Sequence, residues 1–317
     1  MPTKVFPELS YANAGQPRLK RWFIRSVEDL SGRDRFARLY DIWRGSIVPR
    51  GELIFSRMLE LIDVRLVCED QWPPQGLPQS PLVIVANHPF GIGDGIAVLS
   101  LAEQLGRPFR VMINAELLKV REMEPYSLPI DFSDNKDALK NNMAVRHEAL
   151  RLLKEGVTIV IFPAGGVATA PSGFGVARDL PWKMFPARLV QEAKAAVIPM
   201  HFSGQNGRLF HLVSRPMLAA EQGGGRFRQA LGEISLMLRT SLLIREFARL
   251  SGKSISVRIG GAIAWADLEP IRDRKLLIRH LQDAVLALAP QDRMPKRRAR
   301  NVWQKLRRPR TPTALYR

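Results

Sequence analysis

His88 and Asp94 lie in the segment Val83-Ile-Val-Ala-Asn-His-Pro-Phe-Gly-Ile-Gly-Asp-Gly95, where an apolar run stops at a histidine, a glycine-rich turn and a carboxylate. Histidine is the side chain best suited to take a proton near neutral pH, and a nearby carboxylate fixes its tautomer and stabilises the imidazolium that forms. The pair therefore reads as a general base with its orienter, able to make a hydroxyl nucleophilic. Asp94 also fits the N-cap of a helix carrying Ile96, Val98, Leu99 and Leu101, where a carboxylate bonds free backbone N–H groups. Spacing alone leaves both roles open.

The elements that must position this pair are legible as apolar runs. Leu82 to Ala86 is a short run rich in β-branched residues, as expected of a strand covered on both faces. Val157-Thr-Ile-Val-Ile-Phe-Pro-Ala-Gly-Gly166 is a second buried-strand pattern running into a Pro/Gly turn, and Ala196-Val-Ile-Pro-Met200 is a third. Active sites of open α/β sheets gather at the carboxyl ends of such strands. Backbone N–H groups around Pro163 to Gly166 are thus candidates to stabilise a developing oxyanion. Phe109 to Ile113 and Ser254 to Ile259 read as further strands, and Leu53 to Ile62, Met143 to Lys154, Lys183 to Ala195 and Ile271 to Leu288 as helices. The order predicts an α/β fold with a mostly parallel or mixed central sheet flanked by helices. Gly91-Ile-Gly93 lacks the rest of a dinucleotide fingerprint, and Ser172-Gly-Phe-Gly175 is not a nucleophile elbow, so a covalent serine mechanism is disfavoured.

Taken in order, these motifs resemble the glycerolipid acyltransferase family that includes the 1-acylglycerol-3-phosphate acyltransferases, over about residues 80–265. The resemblance implies that His88 deprotonates an acceptor hydroxyl, which attacks an acyl thioester, and that Asp94 supports it. It also implies substrate-binding roles for Asn87, Phe162, Pro163, Gly165, Gly166 and Pro199, the residues matching the Asn-His, Phe-Pro-x-Gly and Val/Ile-Pro blocks. The implied donor is acyl carrier protein or coenzyme A bearing a fatty acyl chain, with no metal or other cofactor. Five residues, Pro89 to Gly93, separate histidine from aspartate where the family commonly has four. That version resembles the hemolysin-like branch, which includes lyso-ornithine lipid acyltransferases. Two further departures concern the acceptor. Ala164 stands where the family usually has a glutamate, and Ile130-Asp131-Phe132 stands where an Ile-Asp-Arg segment supplies a phosphate-binding arginine. The acceptor expected is therefore a lysolipid hydroxyl, with lysophosphatidic acid in doubt. Arg146, Arg178 and Lys183 are alternative cations for a headgroup. A lyso-ornithine lipid acceptor is one alternative reading; a basic membrane-binding protein that has lost catalysis is another.

Composition sets the wider frame. With 317 residues, 46% hydrophobic and 25% charged, the chain is globular and long enough for one elaborated α/β unit. Its 48 Lys and Arg against 30 Asp and Glu give a formal charge of +18, which attracts a polyanionic surface. No zinc-ligand spacing, aromatic RNA-binding strand or helix-turn-helix signature supports nucleic acid as that partner. Three regions are expected: residues 1–70, helical and a candidate for membrane docking; 71–290, catalytic; and 291–317, a basic flexible tail. Residues 18–30 combine Arg18, Lys20, Arg21 and Arg25 with Trp22, Phe23 and Ile24, and Arg33 to Trp43 places Phe36, Leu39, Tyr40 and Trp43 at helical spacing. Both stretches suit either an interfacial helix pair or ordinary packing against the domain. The prolines and glycines of Gly156 to Ala177 exclude a spanning helix there, and the chain's start has no apolar signal core. Cys68 is the only cysteine, so no internal disulfide forms. The expected location is peripheral, on the cytoplasmic face of the inner membrane, with an anionic lipid surface as partner. His201 and His211, with Gln205 and Asn206 between them, are secondary candidates for the edge of the site.

Overall fold

The computed structural model describes residues 33–74, 76–79, 81–131, 136–221 and 226–290. The amphipathic stretch at 18–30 and the basic tail at 291–317 lie outside them. Element order is α1 (Arg33–Ile42), α2 (Ile54–Leu61), β1 (Val64–Cys68), β2 (Leu82–Ala86), α3 (Ile92–Glu103), β3 (Phe109–Asn114) and β4 (Ser127–Ile130). It continues through α4 (Lys136–Lys154), β5 (Thr158–Ile161), α5 (Phe185–Ala193), β6 (Ala196–Ser203), α6 (Arg208–Glu221), α7 (Arg226–Ala248), β7 (Lys253–Ile259), α8 (Trp265–Leu268) and α9 (Arg274–Ala287). The strands form one sheet of order β1-β7-β6-β2-β5-β3-β4. All neighbouring pairs are parallel except β6 with β7. The expected mixed sheet flanked by helices is what forms.

β2 sits in the middle because every one of its residues is apolar and can be buried. Leu82, Ile84 and Ala86 face one core, with Trp43, Phe55 and the inner face of α3. Val83 and Val85 face the other, with α4, α5 and α9. Each fully buried branched side chain contributes about 1.5–3 kcal/mol, so this strand is the most firmly placed element available to carry a functional residue at its end. Its neighbour β5 is covered in the same way. The helices that follow the two strands pack on opposite faces, α3 with the first core and α5 with the second. Such divergence opens a crevice at the carboxyl ends of adjacent strands.

Pro199 lies inside β6, opposite Val85. Its carbonyl accepts from Gly260 N–H at 2.9 Å, so the N–H that proline lacks falls on the same side, where β6 has passed the last paired residue of β7. The β2 side of the ladder loses nothing, which explains how a proline is tolerated here.

Residues 33–70 do not stand apart from the sheet. Tyr40, Trp43, Ile54 and Phe55 belong to the same core as Leu82 and Ile84, and β1 pairs with β7. The stripe of Phe36, Leu39, Tyr40 and Trp43 thus packs on the domain, and the loop around Pro73 to Pro78 divides no two cores. The indole of Trp43 is fully buried and donates to the Ile54 carbonyl at 2.9 Å. Trp43→Ala is expected to cost about 3–5 kcal/mol of global stability, read as a lowered urea midpoint in a single cooperative transition. Separate melting of an N-terminal unit with the remainder unchanged would contradict the shared core.

Candidate functional site

The chain leaves β2 at Ala86, and the next two residues bind it to both neighbouring strands. Asn87 donates from Nδ2 to Phe202 O at 2.9 Å and accepts Phe202 N–H at Oδ1 at 2.7 Å. Its amide thereby continues the β2–β6 ladder by one side chain, and both its polar atoms are used within the fold. Asn87 is placed to position His88.

The imidazole of His88 lies flat on the ring of Phe162, which follows β5, with centroids 4.1 Å apart. Nδ1 stands 3.0 Å from Oδ1 of Asp94 in a charge contact, and neither atom has a hydrogen-bond partner among the described residues. The approach is close without being in line, as is common in catalytic pairs before substrate arrives. Asp94 is fully buried and His88 is 17% exposed. With Nδ1 turned to the carboxylate, Nε2 is the nitrogen left for an acceptor hydroxyl. The main chain of His88 is fixed as well: its N–H donates to Asp179 Oδ1 at 3.1 Å, and its carbonyl accepts Ala168 N–H at 2.7 Å.

Asp94 is not the N-cap. Gly91 occupies that position, and Asp94 is the third residue of α3. From there its Oδ2 reaches back to accept Phe90 N–H at 2.9 Å, leaving Oδ1 for the histidine. One carboxylate thus joins a terminal backbone donor, an orienting role and the favourable positive end of a helix. The glycines permit this. Gly91 has φ +82°, and a Cβ there would crowd Leu243 and Val167; a Cβ on Gly93, which lies within the helix, would stand 2.4 Å from Leu250.

After β5, Phe162 to Gly165 form a tight turn in which Phe162 O accepts Gly165 N–H at 2.9 Å. Pro163 takes the position where its fixed φ favours such a turn, and Gly165 follows at φ +66°. The Gly165 amide is therefore spent inside the turn and is unavailable to a developing oxyanion. Gly166 N–H has no acceptor among the described residues. Ala164 is buried, so the position where a glutamate was expected offers no polar group.

Asp179 and Trp182 escape the sequence reading. Asp179 accepts Trp182 Nε1–H at 3.0 Å as well as the His88 amide. Burial raises its carboxyl pKa, and these two bonds oppose the rise. It lies 91 residues beyond His88, and no local pattern links positions so far apart.

The other candidates are placed as follows. Arg178 and Lys183 are exposed on the segment following the Phe162 turn, whereas Arg146 lies over the Phe185 ring between α4 and α5. Pro199 lies within β6, opposite Val85 of β2. His211 is buried and its Nδ1 accepts Ala170 N–H at 3.3 Å, and Gln205 ties Gly175 and Ala177, so both shape the same segment. His201 alternates with Met200 and Phe202, which face the first core, and so points to the face of the sheet opposite that core. No group of three or more His, Cys, Asp or Glu residues placed to hold a metal occurs among the described residues.

Residues 68–203, from the end of β1 to the end of β6, match the family model described as Acyltransferase. Two curated relatives are lyso-glycine lipid O-acyltransferases. That from Bacteroides thetaiotaomicron is 26% identical over 73% of this chain and 77% of its own length. That from Phocaeicola vulgatus is 23% identical over 68% and 71%. Among solved structures, the 1-acyl-sn-glycerophosphate (LPA) acyltransferase PlsC from Thermotoga maritima aligns over 84% of this chain and 87% of that chain, with 16% identity and a TM-score of 0.42.

Two outcomes test the placement. In Asp94→Asn, the side-chain oxygen keeps the Phe90 bond and the amide then donates to Nδ1, forcing the proton onto Nε2. Turnover is expected to fall about 10²–10⁴-fold with little change in melting temperature; an unchanged rate would remove Asp94 from the chemistry. His201 has its pKa lowered to about 4, by burial first and by the Arg258 charge second. The unfolded imidazole takes its proton near 6.5, so this group favours folding above that pH and the contribution is lost as pH falls toward 4. Urea midpoints of His201→Asn are expected to vary less with pH across that window than those of the wild type.

Proposed function

We propose that this acyltransferase moves a fatty acyl group from an acyl thioester to the hydroxyl of a lysolipid whose headgroup is an amino acid. The observation that carries the reaction is the held imidazole: Nδ1 at 3.0 Å from a fully buried carboxylate, with Nε2 left for substrate. In the proposed step Nε2 of His88 takes the proton of the acceptor hydroxyl as its oxygen bonds to the thioester carbonyl carbon. The tetrahedral intermediate collapses by breaking the C–S bond, and the departing thiolate takes the proton back from the imidazolium. Asp94 stabilises that imidazolium. The Gly166 amide, which has no acceptor among the described residues, is a donor of this loop available to the oxyanion. Phe162 holds the ring plane from one side.

The acceptor class is supported by the two lyso-glycine lipid O-acyltransferases and by the buried Ala164 where the phosphate-acceptor pattern has its glutamate. Lyso-ornithine lipid falls within the same class. Acyl carrier protein and coenzyme A are both acidic, and the excess of 18 positive charges suits either donor. Association with the membrane is proposed as peripheral, since no helix among the described residues is long and apolar enough to cross one.

Acyl carrier protein and coenzyme A, each bearing a radiolabelled fatty acyl thioester, should be offered with lyso-glycine lipid, lyso-ornithine lipid and lysophosphatidic acid to the wild type and to His88→Ala. The expected result is a product with a lyso-amino-acid lipid, about tenfold or more above lysophosphatidic acid, and absent with His88→Ala. Preference for lysophosphatidic acid would overturn the acceptor; turnover surviving in His88→Ala would overturn the base.

A further inference from the structure

The segment from Ala168 to Asp179 leaves and re-enters the site at His88, through the Ala168 amide and the Asp179 carboxylate. Thr169 and Arg178 pair across its base, so residues between them form a projecting loop. The loop is ordered by its own bonds. Ser172 Oγ donates to Phe174 O at 2.6 Å, Gln205 donates to Gly175 O at 3.0 Å and accepts from Ala177 N–H at 2.9 Å, and the backbone at Gly173 packs against Leu212 and Arg215 of α6. Yet this ordered tip holds Phe174 56% exposed and Val176 52% exposed. On the adjoining face of α6, Leu209 and Leu212 are also exposed. A solitary exposed apolar residue needs no explanation, whereas four on one braced surface mark an interaction site.

The charges around the patch say what covers it. Arg178, Arg208 and Arg215 are all exposed, and residues 170–178 and 205–218 contain no Asp or Glu. An apolar tip flanked by exposed cations, where the Glu246 carboxylate at the Gly207 amide is buried, matches the boundary between headgroups and acyl chains of an anionic leaflet. We infer that the loop at 171–176 and the Leu209/Leu212 face of α6 dock on an anionic lipid bilayer. Because both legs of the loop are bonded to His88, docking there sets the mouth of the site against the surface that carries the acceptor. The inference rests on the reading that the acceptor is a lysolipid.

The full-length chain is to be sedimented with vesicles of phosphatidylcholine containing about a third phosphatidylglycerol. Phe174→Asp/Val176→Asp is expected to lose about tenfold or more in partitioning, while its acyl transfer to a short-chain acceptor dissolved as monomers stays at the wild-type rate. Leu276→Asp, on an equally exposed leucine of α9, should partition as the wild type does, and wild-type binding should weaken as salt is raised. A polarity-sensitive fluorophore on Val176→Cys in a Cys68→Ser background should shift to the blue on adding vesicles, a readout that needs no charged substitution. Unchanged partitioning of the double aspartate variant, or no spectral shift, would overturn the proposal. So would a vesicle-free change of oligomeric state in that variant, which would make the patch a contact between copies. Partitioning is read without turnover, so absence of acyl transfer by the wild type to any acceptor would refute the reaction and leave the docking result standing.

Discussion

A single imidazole serves as a base only if one nitrogen is held and the other is free, and the burial of Asp94 beside His88 imposes that condition here. A carboxylate with no solvent exposure is costly to bury unless its oxygens are satisfied. Oδ2 takes the Phe90 amide, and Oδ1, which has no hydrogen bond of its own among the described residues, stands 3.0 Å from the histidine Nδ1, the group placed to offset the rest of that cost. The ring is further limited by the Phe162 face, and the main chain by Asp179 and Ala168. The histidine is thus constrained at its amide, its carbonyl and its ring.

Much of the remaining structure is arranged around that constraint. β2 is buried on both faces, which fixes where residue 88 begins, and Asn87 extends the hold to β6. α7 contributes from outside the sheet: Leu243 fills the space a side chain at Gly91 would need, and Arg239, over the Phe210 ring, donates to the Val167 carbonyl. The hairpin of α6 and α7 therefore braces both the turn before Asp94 and the loop after Gly166. The long loop beyond it connects the base to the apolar, arginine-ringed surface, so the geometry of the site and its approach to lipid share one piece of backbone.

The parts of this arrangement that are local in sequence could be read from it. Leu82 to Ala86 is β2 to the residue, because a short apolar run centred on the β-branched Val83, Ile84 and Val85 favours a central strand. His88 and Asp94 meet because the five residues between them, Pro89 to Gly93, include two glycines that allow a strand to turn directly into a helix. The N-cap assignment failed by three positions, since Gly91 can take the cap conformation and the aspartate gains a back-bond from inside the first turn. β1, β4 and the α6–α7 pair were not recognised. β1 alternates partly exposed residues at the end of the sheet, β4 carries a proline within only four residues, and neither has the strong run that marks β2. Asp179 and the outward-turned Phe174 depend on contacts with distant chain, and a short window of sequence does not encode them.

The central claim is that Asp94 fixes the proton on Nδ1 and leaves Nε2 free. The most direct test is the tautomer of His88, read from imidazole ¹⁵N shifts and carbon-coupled correlations in labelled protein, assigned by comparison with His88→Ala, above the pH at which the ring is neutral. The account predicts the Nδ1–H tautomer in the wild type and its conversion to Nε2–H in Asp94→Asn. A wild-type ring that carries its proton on Nε2, or whose tautomer is indifferent to Asp94→Asn, would contradict it.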